Sequence, residues 1–259
     1  MIDPSLDGSR NMAIDEALLD TCASRGRESC FPVLRFYQWK TPTISIGYNQ
    51  KVEESVDPEF CRRMGIEVTR RPTGGKAVLH DRELTYSITA DCSDHPFTSS
   101  VAENYIIISE AIIEGLRVLG IDAIIADAGI PAYDPFSREH CFSRLSRYEI
   151  SYRQLKIVGS AQRRRKKAFL QHGSLLLDMD RVLLAGALRS EGIQQAGSQF
   201  VTISEAAERE VSFDELAETL AKSFQKTFGV SLLRGSLSQK ERNLAEELLI
   251  RKYITAAGG

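Results

Sequence analysis

Between residues 11 and 23, Met12, Ala13, Ala17, Leu18 and Cys22 recur at helical spacing, with Asp15, Glu16 and Asp20 on the other side. Such spacing places the apolar set on one helix face, so an amphipathic helix is expected here, its carboxylates turned to solvent. PVLRFYQW and PTISIGYNQ, separated by Lys40 and Thr41, are rich in β-branched and aromatic residues and alternate at period two. They predict two strands. VDPEFCRRMG opens on an Asp-Pro pair suited to a cap and first turn and closes on Gly65, which predicts a short helix.

IEVTRR and AVLH are strand candidates joined by a PTGG turn, and ELTYSIT is a third with Leu84, Tyr86 and Ile88 on one face. An antiparallel arrangement is expected there. A long helical pattern runs from about Ser100 to Leu119 and stops at Gly120. Residues 130–147, rich in Pro, Ser, Arg and aromatics, predict a loop. YEISYRQLKIVGSAQRR and KAFLQHGSLLLD then read as strands with a basic run at their junction, and helical patterns dominate after Arg181. Of these, SFDELAETLAKSFQKTFG and SQKERNLAEELLIRKY are the clearest. Runs of strands packed by helices, without regular βαβ alternation, point to an α+β fold. The expected division is a catalytic unit over residues 1–230 and a C-terminal helical extension over 231–259.

Composition narrows the function classes. The 259 residues, 42% hydrophobic, can bury one substantial core. A net charge of −2 argues against a nucleic-acid-binding domain, so any basic patch must be local. The five cysteines are odd in number and lack a CxxC pair, which suggests neither a disulfide framework nor a zinc ribbon. A reducing, cytoplasmic setting is expected. No basic start precedes an apolar run, and no segment approaches eighteen apolar residues, so neither secretion nor membrane insertion is expected.

The candidate chemistry begins at Gly74 and Gly75, which by themselves make a tight turn. Arg70, Arg71, Lys76 and His80 nearby add cations suited to an anionic or polarised group beside backbone N–H donors. The segment is neither a Walker A loop nor GxGxxG. Cys141 lies in a polar stretch after His140 and near Arg138, Arg144 and Arg147, surroundings that favour a thiolate. The residues alone leave an incidental loop cysteine open. His80 and His172 lack metal-ligand spacing and are expected to hydrogen-bond within the site or the core. Arg163, Arg164, Arg165, Lys166 and Lys167 form either a solvated hairpin turn or a docking face for an acidic protein.

The stretch from Arg70 to Asp81, RRPTGGKAVLHD, resembles the signature of the biotin/lipoate protein ligase and octanoyltransferase superfamily. NMAIDEAL, LRFY, TISIGY, KIVGSAQ and QHGSLL agree in order and spacing over about residues 10 to 180. The resemblance implies a central mixed β-sheet flanked by helices, a smaller second sheet and an acyl tunnel. Its wall would include Arg70, Arg71, Thr73, Gly74, Gly75, Lys76, Ala77, His80, Gly159, Ser160, Ala161, His172 and Gly173. The ATP-dependent ligases usually carry a third glycine where Lys76 stands, whereas the Cys-Phe pair at 141–142 upstream of Tyr148-Glu149 resembles the cysteine-dependent octanoyltransferases. By that resemblance Cys141 is the nucleophile and Lys156 its catalytic partner. The implied donor is octanoyl-acyl carrier protein, the acceptor a lipoyl domain or glycine cleavage H protein, and neither a cofactor nor a metal is needed. A lipoate ligase, a protein-to-protein amidotransferase and a silent carrier-binding module remain open as alternatives.

Overall fold

The computed structural model describes residues 1–25, 31–126, 148–189 and 200–254. Its strands are β1 (Val33–Tyr37), β2 (Thr43–Ile46), β3 (Glu67–Arg70), β4 (Val78–His80), β5 (Glu83–Asp91), β6 (Ile124–Ile125), β7 (Ile150–Tyr152), β8 (Leu155–Arg165) and β9 (Ala168–Leu176). Six of them form a sheet in the order β1-β5-β9-β8-β7-β6, and the other three form a small sheet in the order β3-β2-β4. The helices are α1 (Gly8–Arg25), α2 (Val52–Ser55), α3 (Pro58–Met64), α4 (Val101–Val118), α5 (Arg181–Ala187), α6 (Ile203–Ala207), α7 (Phe213–Phe228) and α8 (Gln239–Leu248), the last continued by a π-helical turn, Leu249–Ile254. The class is α+β with a smaller second sheet, as expected. Mixed pairing, however, lies in the small sheet: every ladder of the central sheet is antiparallel.

β5 explains how the layers stack. It is buried along its whole length, and alternation sends Leu84, Tyr86, Ile88 and Ala90 to one face. There they meet Ile108, Ile112 and Leu116 of α4 and Leu216, Leu220 and Phe224 of α7. The opposite face carries Thr85, Ser87 and Thr89, buried but polar, and α1 covers it. A second apolar cluster joins Ile44, Ile46, Ala77 and Leu79 of the small-sheet region to Leu176, Leu184 and Phe200.

Two expectations need correction. The PTGG segment is not a hairpin turn, because β2 lies between β3 and β4, parallel to the first and antiparallel to the second. The segment is a crossover that carries the chain past the end of β2. Asp15 and Glu16 do not face solvent either; they are 0% and 2% exposed. Helix α1 is packed on two sides, by the sheet and by α8, so one apolar stripe cannot describe it. The α3 expectation holds in detail: the Asp57 side chain accepts from the N–H groups of Glu59 and Phe60, and Gly65 closes the helix at φ +68°. Cys22 is disulfide-bonded, which its helix-face position did not foretell. Among the described residues, no helix is long and apolar enough to cross a membrane.

The second packed side of α1 is held by charge. The Glu16 carboxylate accepts from Lys252 Nζ at 2.7 Å, Tyr253 OH at 2.5 Å and Arg165 Nη2 at 2.8 Å. Burial pushes its pKa up, but Lys252, Tyr253 and Arg165 outweigh that and hold it below the ordinary carboxylate value. A hydrogen bond to a charged acceptor contributes about 1.5–3 kcal/mol, so Tyr253→Phe is expected to destabilise the protein by roughly that amount. Urea unfolding checks this as a lower midpoint at unchanged slope.

Candidate active site

A cavity of about 60 Å³ lies where the two sheets approach. Its wall includes Met12 from α1, Tyr37 and Trp39, Ser45 from β2, Gly75 from the crossover, and Gly159, Ser160 and Gly173 from the β8–β9 ladder. Across that ladder Gly159, Ser160 and Ala161 stand opposite Ser174, Gly173 and His172. The KIVGSAQ and QHGS motifs are therefore one cross-strand floor. A Cβ at Gly173 would sit 2.6 Å from the Gly159 carbonyl oxygen and 2.7 Å from both Ser160 Oγ and Tyr86 Cε1, so the floor excludes any side chain there.

Arg70, at the end of β3, and Arg71, at the start of the crossover, donate to a set of backbone carbonyls. Arg70 Nη1 donates to the carbonyls of Gly47, Tyr48 and Gln50. Arg71 donates from Nε and Nη2 to the Gly74 carbonyl, from Nη2 to that of Lys76 and from Nη1 to that of Ser45. Arg71 thereby holds the Thr-Gly-Gly segment against β2, and Arg70 ties the end of β3 to the loop that follows β2. Gly75 takes φ +94°, and a Cβ on Gly47 would fall 1.9 Å from its carbonyl oxygen. The basic run that ends β8 also has partners within the fold. Arg163 donates to the Pro72 carbonyl and covers the Tyr48 ring, Arg164 donates to Ser99, and Arg165 pairs with Glu16 and Asp20. Lys166 and Lys167 are exposed at the hairpin turn.

Two buried histidines border the cavity. His80 Nε2 lies 2.7 Å from Ser45 Oγ, its Nδ1 lies 2.9 Å from Glu83 Oε1, and its ring stacks on Trp39 at 4.0 Å. His172 Nε2 lies 2.7 Å from Thr73 Oγ1, and its Nδ1 lies 3.2 Å from Asp15 Oδ2. Asp15 also receives Arg35 Nη1 at 2.8 Å, Tyr37 OH at 2.9 Å and Ser87 Oγ at 2.9 Å. Burial opposes its ionisation, but Arg35, His172 and Ser87 prevail and hold its pKa below the ordinary value. For His172, burial lowers the pKa, Asp15 raises it, and Arg71 and His80 lower it further; the net direction is down.

Lys156 on β8 is 1% exposed and pairs with Glu149 at 2.5 Å. It does not border the cavity, although the residues from Gly159 to Ala161 on its strand do. Of the other expected residues, Arg71, Gly75, His80, Gly159, Ser160, Ala161, His172 and Gly173 border the cavity. Thr73 reaches it through His172, Gly74 is exposed, Ala77 is buried in the small-sheet cluster, Arg70 braces the loop after β2, and the Lys76 carbonyl accepts from Arg71. Cys141, with the loop expected over 130–147 up to Arg147, lies outside the described residues. Asp15, Trp39, Ser45, Glu83 and Glu149 were not singled out as site residues. Among the described residues, no group of three or more His, Cys, Asp or Glu is placed to hold a metal ion.

Both shifts predict a pH dependence of the same sign. A depressed His172 keeps the folded chain from taking a proton that the unfolded chain takes below 6.5, so stability is present above that value and declines as pH falls. Asp15 repeats this below 3.8, its contribution being lost as pH passes its folded pKa. Urea unfolding as a function of pH is expected to show the first decline reduced in His172→Gln and the second retained.

With this geometry in view, the chain matches the family described as Lipoyl protein ligase A/B catalytic domain over residues 7–225. It is 40% identical to Octanoyltransferase LipM of Carboxydothermus hydrogenoformans, covering 97% of this chain and 94% of that one. The protein of the same name from Geobacillus kaustophilus is 42% identical over 94% of this chain and 90% of its own. Among solved structures, a lipoate-protein ligase A bound with ATP superposes with a TM-score of 0.80 at 27% identity, over 97% of this chain and 93% of that one. A bipartite lipoate protein ligase from Thermoplasma acidophilum, studied with its E2 lipoyl domain, gives 0.78 at 26%, over 97% and 91%. The chain belongs to the lipoyl protein ligase A/B catalytic-domain family, and within it stands with the octanoyltransferases.

Proposed function

We propose that this protein moves an octanoyl group from acyl carrier protein to a lysine of a lipoyl domain or glycine cleavage H protein, through a thioester on Cys141. The observation that carries the reading is identity of 40% and 42% to octanoyltransferases over nearly the whole chain. In the first half-reaction the Cys141 thiolate attacks the carbonyl carbon of the donor thioester. A new C–S bond forms, the old one breaks, and the carrier thiolate leaves and takes up a proton. In the second, the acceptor amine attacks the acyl-enzyme; the C–N bond forms, the bond to Cys141 sulfur breaks, and the surplus amine proton goes to a base.

Lys156 suits two duties. As an ammonium ion it stabilises the thiolate and the oxyanion that develops at the carbonyl; with its proton passed to Glu149, 2.5 Å away, it accepts one from the attacking amine. The donor thioester and the acyl-enzyme thioester are both already activated for acyl transfer, so no nucleotide is consumed on this route. The ligase reading draws on the likeness to the ATP-bound ligase and differs in one observable, the need for ATP.

Intact-protein mass spectrometry after mixing with octanoyl-carrier protein is expected to show one octanoyl adduct in the native chain and none in Cys141→Ala. Turnover that appears only with ATP would replace the transferase reading by the ligase one. Removing one well-placed acid–base group typically costs about 10²–10⁴-fold, and Lys156→Ala is expected to slow acylation within that range. Circular dichroism identifies a variant that is slow because it is unfolded.

A further inference from the structure

The hydrogen bonds around Thr73 have a forced direction. Asp15 is an ionised carboxylate gathering four donors, and a carboxylate only accepts, so His172 Nδ1 carries the hydrogen that faces it. A neutral imidazole with hydrogen on Nδ1 has a lone pair on Nε2. The Thr73 hydroxyl, 2.7 Å away, must then be the donor. Thr73 is 0% exposed, and its hydroxyl hydrogen is engaged by His172. Its place is the crossover, directly before Gly74 and Gly75, where the Gly75 carbonyl comes so close to Gly47 that no Cβ fits between them.

We propose that Asp15, His172 and Thr73 form a tautomer lock that holds the Thr-Gly-Gly crossover in the register that completes the cavity wall, making Thr73 a positioning residue for the acyl donor. The inference deepens the octanoyl-transfer reading and rests on it only for the kinetic part of the test. Arg71 fixes the segment through the carbonyl of Gly74, between the two glycines, and that of Lys76, beyond them. Thr73 fixes it from the near side, through a side chain anchored in the central sheet. The crossover is thereby tied to both sheets.

The lock has a chemical sensitivity. A proton on His172 Nε2 turns that atom from acceptor to donor, and Thr73 can then only accept, which reverses the bond. The charged and titratable groups around this ring come from every neighbouring element: Asp15 from α1, Arg35 and Tyr37 from β1 through Asp15, Arg71 from the end of β3, and His80 from β4 with Glu83 of β5 behind it. Asp15 favours the proton, while Arg71 and His80 oppose it.

The first test needs no substrate. Long-range ¹⁵N–¹H correlation spectra of the full chain are expected to show His172 as the neutral Nδ1–H tautomer at neutral pH. The Nε2–H tautomer, or a charged ring, overturns the proposal. The second test is kinetic. Thr73→Val keeps the shape and loses the donor; it is expected to raise KM for octanoyl-carrier protein roughly tenfold with kcat within about twofold, the size of one net hydrogen bond. In the native chain kcat/KM is expected to decline on the acid side as His172 takes up its proton, and Thr73→Val is expected to remove that decline. Thr73→Ser should restore both. A Thr73→Val enzyme with native KM and pH profile, or a Thr73→Ser enzyme that behaves like the valine variant, overturns the positioning role. If Thr73→Val does not fold, the tautomer measurement and Thr73→Ser decide the question. If no acyl transfer occurs at all, the octanoyl reading fails, while the spectra still judge the lock.

Discussion

The buried carboxylate of Asp15 is the junction on which this structure depends. Helix α1 supplies it, β1 sends Arg35 and Tyr37, β5 sends Ser87, and β9 sends His172. An ion taken from water into a protein interior costs several kcal/mol unless its attraction and hydrogen bonds return that energy. Here they do so only if all four elements are in register. The same requirement that places α1 on the sheet therefore sets the orientation of a histidine in the cavity wall, so the packing of the core and the geometry of the site cannot vary separately.

Close backbone approach supplies the remaining constraint. Gly47 against Gly75, and Gly173 against Gly159, are contacts in which a methyl group would have to displace a carbonyl oxygen. Main chain defines the walls at these points, and main chain deforms less readily than side chains do. Arg71 fits this design, since it donates to carbonyls that such tight turns leave without strand partners.

Much of the fold was legible because its elements follow simple periods. The 84/86/88 alternation, the Asp57 cap and the Gly65 and Gly120 stops are local signals, and the structure uses them as written. What could not be read locally depends on contacts distant in sequence. Asp15 and Glu16 resemble solvent-side charges until Arg35, His172 and Lys252 are known to surround them, the last 236 residues further on. The insertion of β2 between β3 and β4 is of the same kind, because a short PTGG link suggests a hairpin and only the parallel register of β2 with β3 contradicts it. The site motifs were legible as a set, but not their division of labour. Arg70 and Arg71 suggest cations for a bound group, and Arg163 a solvated turn or docking face, whereas in the fold all three also brace backbone carbonyls.

That division of labour suits a wall containing so many polar residues to an apolar ligand. Ser45 is bonded to His80, Thr85 joins Trp39 to Glu83, Ser160 meets Tyr86, and His172 is engaged at both ring nitrogens. A hydrocarbon entering the cavity strands none of these groups, since each already holds its protein partner. The desolvation cost that usually excludes apolar ligands from polar walls is therefore small.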